Sequence, residues 1–254
     1  MEAIEQQIRA TQHLTSDKVD VATLGQDYNA GSNFDKGVQY LQKHYTAARK
    51  VRGDGNCYYR AFLYSLCEQL NSTTQDTTKK ERERIVTYLK TTSMDQVLAR
   101  GYERFAIEMF WEEMVELLEA LPLDTAALHE RLNEENATSD YCTWYMRVLT
   151  AARLKEDPDR FVHFLEGNYF DIPTFCQREV EPMGRECGMV QVLALAEAMK
   201  VRVEIEYLDG HTFTDRLTKH TFGGDDANDN DKEKEEGITL TLLYRPGHYD
   251  ILYK

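Results

Sequence analysis

The sequence predicts an α+β fold, with helices through most of its length and strands gathered toward its C-terminal end. Two patterns predict it. Between residues 58 and 166 apolar side chains recur at helical spacing, whereas Val201-Arg202-Val203-Glu204-Ile205-Glu206-Tyr207 alternates apolar and polar with a period of two. Runs of helices followed by runs of strands, rather than strict alternation, are the signature of α+β packing. A composition of 42% hydrophobic and 29% charged residues is that of a folded chain, and 254 residues suffice to bury a substantial core. We read residues 1–254 as one domain.

Residues 1–50 are read as an N-terminal helical extension. Ile4, Ile8, Val38, Leu41 and Tyr45 carry the spacing, and residues 29–33 form a loop between two segments. Residues 58–70 are apolar almost all round, with Phe62, Leu66 and Leu70 on one ridge and Tyr59 and Leu63 on another, which marks a buried central helix. Residues 110–118 set an apolar stripe against acids. Thr138, Ser139 and Asp140 supply N-cap residues for the next helix. Asp157-Pro158 opens another, containing Phe161, Phe164 and Leu165 and ended by Gly167. An apolar helix over 190–199 leads into the alternating strand at 201–207, and Asp209-Gly210 turns the chain. Residues 238–244 and 249–253 are two more strands, joined by Arg245-Pro246-Gly247. Residues 223–237 are rich in Asp, Asn and Glu without the residue order of a calcium loop, and are read as a mobile acidic loop.

Charge and cysteine usage exclude several classes. A net charge of −14 disfavours nucleic acid, because a phosphate backbone would be repelled by the average field. No apolar run approaches the ~20 residues of a membrane span, and the N-terminus lacks the character of a signal peptide. Cys57, Cys67, Cys142, Cys176 and Cys187 are odd in number and widely spaced, so neither a disulfide framework nor a zinc knot is expected. A reducing compartment follows, the cytoplasm or also the nucleus.

Gly53-Asp54-Gly55-Asn56-Cys57-Tyr58-Tyr59-Arg60-Ala61-Phe62 is a tight polar turn feeding into the buried helix, with a cysteine at the junction. Unpaired amides and the helix dipole at such a position favour a thiolate. The backbone amides of Asp54, Gly55, Asn56 and Cys57 are candidates for holding an oxyanion. In the final strand His248 and Asp250 are two residues apart and project to one face, so the carboxylate can orient and charge-stabilise the imidazole. Taken singly, a cysteine at a helix start is more often a small buried hydrophobe, and a lone histidine is more often structural.

The Asp54-Gly55-Asn56-Cys57 motif with its following aromatic pair, Arg60, Ala61 and Phe62 resembles the nucleophile motif of the ovarian-tumour (OTU) cysteine proteases. Leu242-Leu243-Tyr244-Arg245-Pro246-Gly247-His248-Tyr249-Asp250-Ile251-Leu252-Tyr253-Lys254 resembles the otubain branch, as do Thr138-Ser139-Asp140-Tyr141, the stretch 161–167 and the stretch 175–183. The resemblance covers nearly the whole chain. It implies a papain-like fold in which a helical region packs against a small, mostly antiparallel sheet. It also implies a thiol protease that hydrolyses isopeptide bonds of ubiquitin chains, with preference for the proteasome-targeting linkage. By the same pattern Cys57 is the nucleophile, His248 the base and Asp250 the third member. Asp54 contributes through its backbone, while its side chain is read as capping the turn. No cofactor or metal is implied. Ubiquitin and polyubiquitin are the expected partners, with ubiquitin-conjugating enzymes as a further class. The alternative function is a regulator that binds ubiquitin or a conjugating enzyme without cleaving. Two departures stand out: the chain begins inside the longer N-terminal arm that some otubains carry, and Glu186-Cys187-Gly188-Met189-Val190-Gln191-Val192 stands where the family usually has an Asp-His-Ile stretch.

Overall fold

The structure is a computed structural model that describes residues 12–72, 76–165, 167, 169–223 and 237–254. Its strands form one mixed sheet in the order β1-β2-β6-β5-β3-β4. The strands are β1 (Thr15–Asp20), β2 (Ala47–Val51), β3 (Arg202–Tyr207), β4 (Thr218–Phe222), β5 (Thr239–Arg245) and β6 (His248–Tyr253). Only β3 and β5 run parallel; the other neighbours pair antiparallel. The helices are α1 (Asn33–His44), α2 (Cys57–Leu70), α3 (Asp76–Tyr88), α4 (Met94–Leu98), α5 (Arg104–Glu119), α6 (Thr125–Asn133), α7 (Thr138–Glu156), α8 (Pro158–Phe161), α9 (Ile172–Phe175) and α10 (Met189–Met199).

Alternation along the strands divides the core. Tyr249 and Ile251 of β6 and Leu240 and Leu242 of β5 join the large cluster with α2 and the other helices. Leu252 and Leu243 face the opposite way, into a smaller cluster with Val38 and Leu41 of α1 and with Val21 and Leu24. Helix α2 is the centre of the larger cluster: Tyr58, Tyr59, Phe62 and Leu66 are fully buried. Each such side chain contributes about 1.5–3 kcal/mol on burial, which is why this helix forms despite its aromatic content.

The N-terminal region departs from expectation. The part of the 1–50 extension that precedes residue 12 lies outside the described residues, as do residues 224–236 of the acidic loop. Within the rest, residues 15–20 and 47–51 are strands, separated by a short 3-10 segment, Val21–Asp27, and α1. Neither strand alternates cleanly. Edge strand β1 is polar except for Val19, while Arg49 of the interior strand β2 is buried beside Tyr253 and Glu68. The pairing of β1 with β2, and of β2 with β6, overrode the local pattern. Strand β4 also escaped the sequence reading. Glu206 breaks the half-buried expectation for β3: it is buried, accepts a hydrogen bond from the Tyr45 hydroxyl at 2.8 Å and faces Lys219 at 3.3 Å. Both faces of the sheet are covered at this point.

Two helix boundaries shift as well. Thr138, Ser139 and Asp140 lie in the first turn of α7, and the N-cap position is Ala137. After Asp157-Pro158 the helix tightens into a 3-10 turn at Val162–Phe164, leaving Leu165 beyond it and Phe164 exposed.

Candidate active site

The polar turn after β2 is tied together before the helix begins. Asp54 accepts a hydrogen bond from the Asn56 amide at 3.0 Å through Oδ1 and forms an ion pair with buried Arg60 through Oδ2. Arg60 in turn meets Asp140 of α7 at 2.7 Å. The Asp54 side chain therefore caps the turn and pins it to α7. Gly55 has φ +77°, and a Cβ there would meet the Gly184 carbonyl oxygen at 2.1 Å, so this position accepts only glycine.

This turn delivers Cys57 to the first residue of α2, where the helix N-terminus is open. Of the four amides expected to face an oxyanion, two are engaged within the protein. Asp54 N donates to Arg52 O at 3.1 Å, and Asn56 N is held by the Asp54 carboxylate. Among the described residues, Gly55 N and Cys57 N remain available. The difference arises because the leading aspartate folds back on its own turn, which motif spacing does not reveal.

The β5–β6 hairpin brings the remaining groups to the same place. Pro246 and Gly247, the latter with φ +72°, join Arg245 directly to its partner His248. Cross-strand partners share a face, so Arg245, His248 and Asp250 all project to one side. His248 Nε2 lies 3.0 Å from Asp250 Oδ1, which leaves Nδ1 for its hydrogen bond with the Cys57 side chain. Asp250 is fully buried. Its Oδ1 also accepts from Val51 N at 2.9 Å, and its Oδ2 takes Arg245 Nη2 at 2.6 Å. Burial opposes charge on His248, yet its hydrogen bonds to Asp250 and Cys57 prevail and push its pKa up to about 10. Burial likewise raises Asp250, but the imidazole, Arg245 and the Val51 amide together hold it below the usual carboxylate range.

Cys57, His248 and Asp250, chosen from sequence, thus meet in space. Arg245 was missed as a site residue, although the two-residue turn would have put it on the same face as Asp250. Arg147 of α7 was missed with less signal to find it: its approach to the turn depends on how α7 packs against α2. The divergent segment at 186–189 borders the site, since the Glu186 carboxylate would sit 3.3 Å from any Cβ at Gly247. Tyr249, on the opposite face as expected, donates to Cys187 O at 3.2 Å and fastens that segment to β6. A cavity of about 860 Å³ among Tyr88, Arg153, Arg160 and Glu197 contains none of these residues. Its arginines sit near helix C-termini, where cations are favoured, and carry no part of this chemistry.

A helical layer and a mixed sheet meeting at a thiol, an imidazole and a buried carboxylate are the build of a cysteine peptidase. The sequence matches the family described as Peptidase C65 Otubain over residues 7–254, and the chain belongs to that family. It is 34% identical to ubiquitin thioesterase OTUB1 of Homo sapiens over 99% of this chain and 87% of that protein. It is 31% identical to human ubiquitin thioesterase OTUB2, covering 95% of each. Among solved structures, OTUB1 in complex with ubiquitin aldehyde and UBC13~Ub superposes with a TM-score of 0.85 at 25% identity, covering 100% of this chain and 95% of that one.

Proposed function

We propose that this chain is a deubiquitinase that hydrolyses the isopeptide bond between the C-terminal carbonyl of ubiquitin and a lysine amine, with Cys57, His248 and Asp250 as its catalytic groups. The observation that carries this reading is the hydrogen-bonded line from Cys57 through His248 to a fully buried Asp250 at an open helix N-terminus. The relatives named ubiquitin thioesterases supply the substrate class.

The chemistry follows from the geometry. With its pKa pushed up to about 10, His248 is basic enough to take the Cys57 proton across their hydrogen bond, and the sulfur acts as the nucleophile. The sulfur attacks the carbonyl carbon, and negative charge gathers on the carbonyl oxygen, where Gly55 N and Cys57 N donate. The C–N bond breaks as His248 passes its proton to the departing lysine nitrogen, leaving a thioester on Cys57. Water then attacks the thioester carbonyl as His248 takes its proton, the C–S bond breaks, ubiquitin leaves with a free C-terminal carboxyl, and Cys57 and His248 return to their starting state. Asp250 holds the ring orientation throughout and stabilises its charged form. The preferred linkage is, in this reading, the proteasome-targeting one.

The test is cleavage of di-ubiquitins of every linkage by wild type beside Cys57→Ala. Cleavage by wild type that vanishes in the variant is the expected result, and one dominant linkage would establish the preference. The complexes of OTUB1 with UBC13~Ub and UBCH5B~Ub favour conjugating enzymes as further partners. Binding of ubiquitin or a charged conjugating enzyme without cleavage of any linkage would replace the enzymatic reading with that of a binding regulator.

A further inference from the structure

Arg147 is completely buried in the middle of α7, and among the described residues its guanidinium meets only neutral oxygens and an aromatic ring. Nη1 donates to Val180 O at 2.9 Å. Nη2 is directed at Gly55 O at 2.9 Å, Asn56 Oδ1 at 2.8 Å and Arg185 O at 2.7 Å. The Tyr59 ring lies against its face, 4.5 Å from the guanidinium carbon. A buried cation with no carboxylate beside it is costly, and a fold that needed only packing here would place an apolar side chain.

What the guanidinium touches indicates its use. Gly55 and Asn56 belong to the nucleophile turn, whereas Val180 and Arg185 bound the segment that lies against that turn at Gly184. Asn56 strengthens the same link, because its Oδ1 also accepts from Gly184 N at 2.9 Å. The Gly55–Asn56 peptide lies between the two amides left available for an oxyanion, Gly55 N and Cys57 N. Gripping its carbonyl fixes the rotation of that peptide, and with it the angle between the two donors. The planar fork reaches several oxygens from separate segments at once, a geometry that lysine's single nitrogen cannot reproduce.

We infer that Arg147 is a positioning residue for catalysis: it holds the nucleophile turn and the 180–185 segment in register so that Gly55 N and Cys57 N converge on the developing oxyanion. This rests on the hydrolytic reading given above. It predicts loss in the acylation step with little change in substrate binding or in the thiol itself. Losing one oxyanion donor, or displacing it by about 1 Å, typically costs ~10²-fold or more in rate.

The experiment compares wild type, Cys57→Ala, Arg147→Lys and Asn56→Ala on a fluorogenic amide of the ubiquitin C-terminus. It measures kcat and KM, the rate of Cys57 alkylation by iodoacetamide, and the melting temperature. Arg147→Lys is expected to lower kcat ~10²-fold while KM and alkylation stay near wild type. Asn56→Ala keeps the buried arginine and removes its shared acceptor. It is expected to lower kcat in the same selective way, which guards against an Arg147 variant that fails to fold. If wild type turns over and both variants keep its kcat, the positioning role is wrong. It is equally wrong if kcat, alkylation and melting temperature fall together, as a purely structural arginine would require. If wild type and Cys57→Ala are alike in lacking turnover, the hydrolytic reading fails and this inference with it.

Discussion

Cys57 and Cys67 stand on the same helix, both buried, yet their surroundings differ in kind. Around Cys67 burial dominates and pushes the thiol up to about 12, against the lowering charge of Arg131. Cys57 opens the helix and shares a hydrogen bond with His248. Two histidines, His129 and His248, repeat the contrast. Burial lowers His129, and Arg49 beside it lowers it further, although the Tyr64 hydroxyl lies 2.8 Å from its Nδ1. His248 is also half-buried and also has an arginine in its neighbourhood, but the buried carboxylate of Asp250 stands between them. Burial alone suppresses charge. A group becomes chemically useful when an opposite charge, itself held by other contacts, is buried beside it.

The largest expected effect tests the contrast between the cysteines. Cys57→Ala should abolish turnover of a ubiquitin-based substrate by ~10⁴-fold or more, because members of such a constellation act as a unit. Cys67→Ala should leave kcat unchanged and cost about 1 kcal/mol, seen as a fall of ~2–4 °C in melting temperature. A Cys67→Ala enzyme that lost turnover while still melting normally would break the comparison.

The histidine contrast is sharpened by Asp250→Asn, which should lower kcat by roughly 10²–10⁴-fold, while His129→Asn should not change it. Parallel rate measurements decide this, and equal losses would mean that His248 draws nothing special from its carboxylate. Arg245→Met should cost less, about tenfold in kcat, because it removes the clamp on Asp250 Oδ2 but leaves the Val51 amide and the imidazole in place. Wild-type kcat in that variant would show the hairpin alone to be sufficient.

The smallest effect is in stability against pH. The pKa of His248 rises from 6.5 to about 10 on folding, so its charged form is favoured in the native state. That contribution is fully present below pH ~6.5 and is lost as pH rises through 10. Asp250, whose pKa is depressed, contributes above its unfolded value near 3.8 and loses that contribution as the pH falls. Melting temperature followed from pH 7 to pH 10 should therefore decline more steeply in wild type than in Asp250→Asn. Parallel curves would mean that the pair adds nothing to folding.

Much of this arrangement was legible beforehand, and the misses have identifiable causes. Helix α2 announced itself because it is apolar all round, and β5 and β6 because apolar residues bracket a Pro-Gly turn. His248 and Asp250 could be paired because a strand repeats every second residue. Strands β1 and β2 were invisible because Thr15–Asp20 and Ala47–Val51 gain their strand conformation from neighbours rather than from their own alternation. The amides assigned to the oxyanion were too many because Asp54 consumes one and Arg52 another.

Spacings of a few residues were enough for the α+β class, the cysteine at a helix start and the histidine and aspartate on one strand face. Long-range packing brought residues 47–57 against residues 248–253. It set β2 beside β6 so that Val51 could hold Asp250, carried Arg147 from α7 under the nucleophile turn, and buried the carboxylate that keeps His248 charged. Local pattern fixes what a residue can do; the low dielectric and the distant partners that make it do so exist only once the chain has closed on itself.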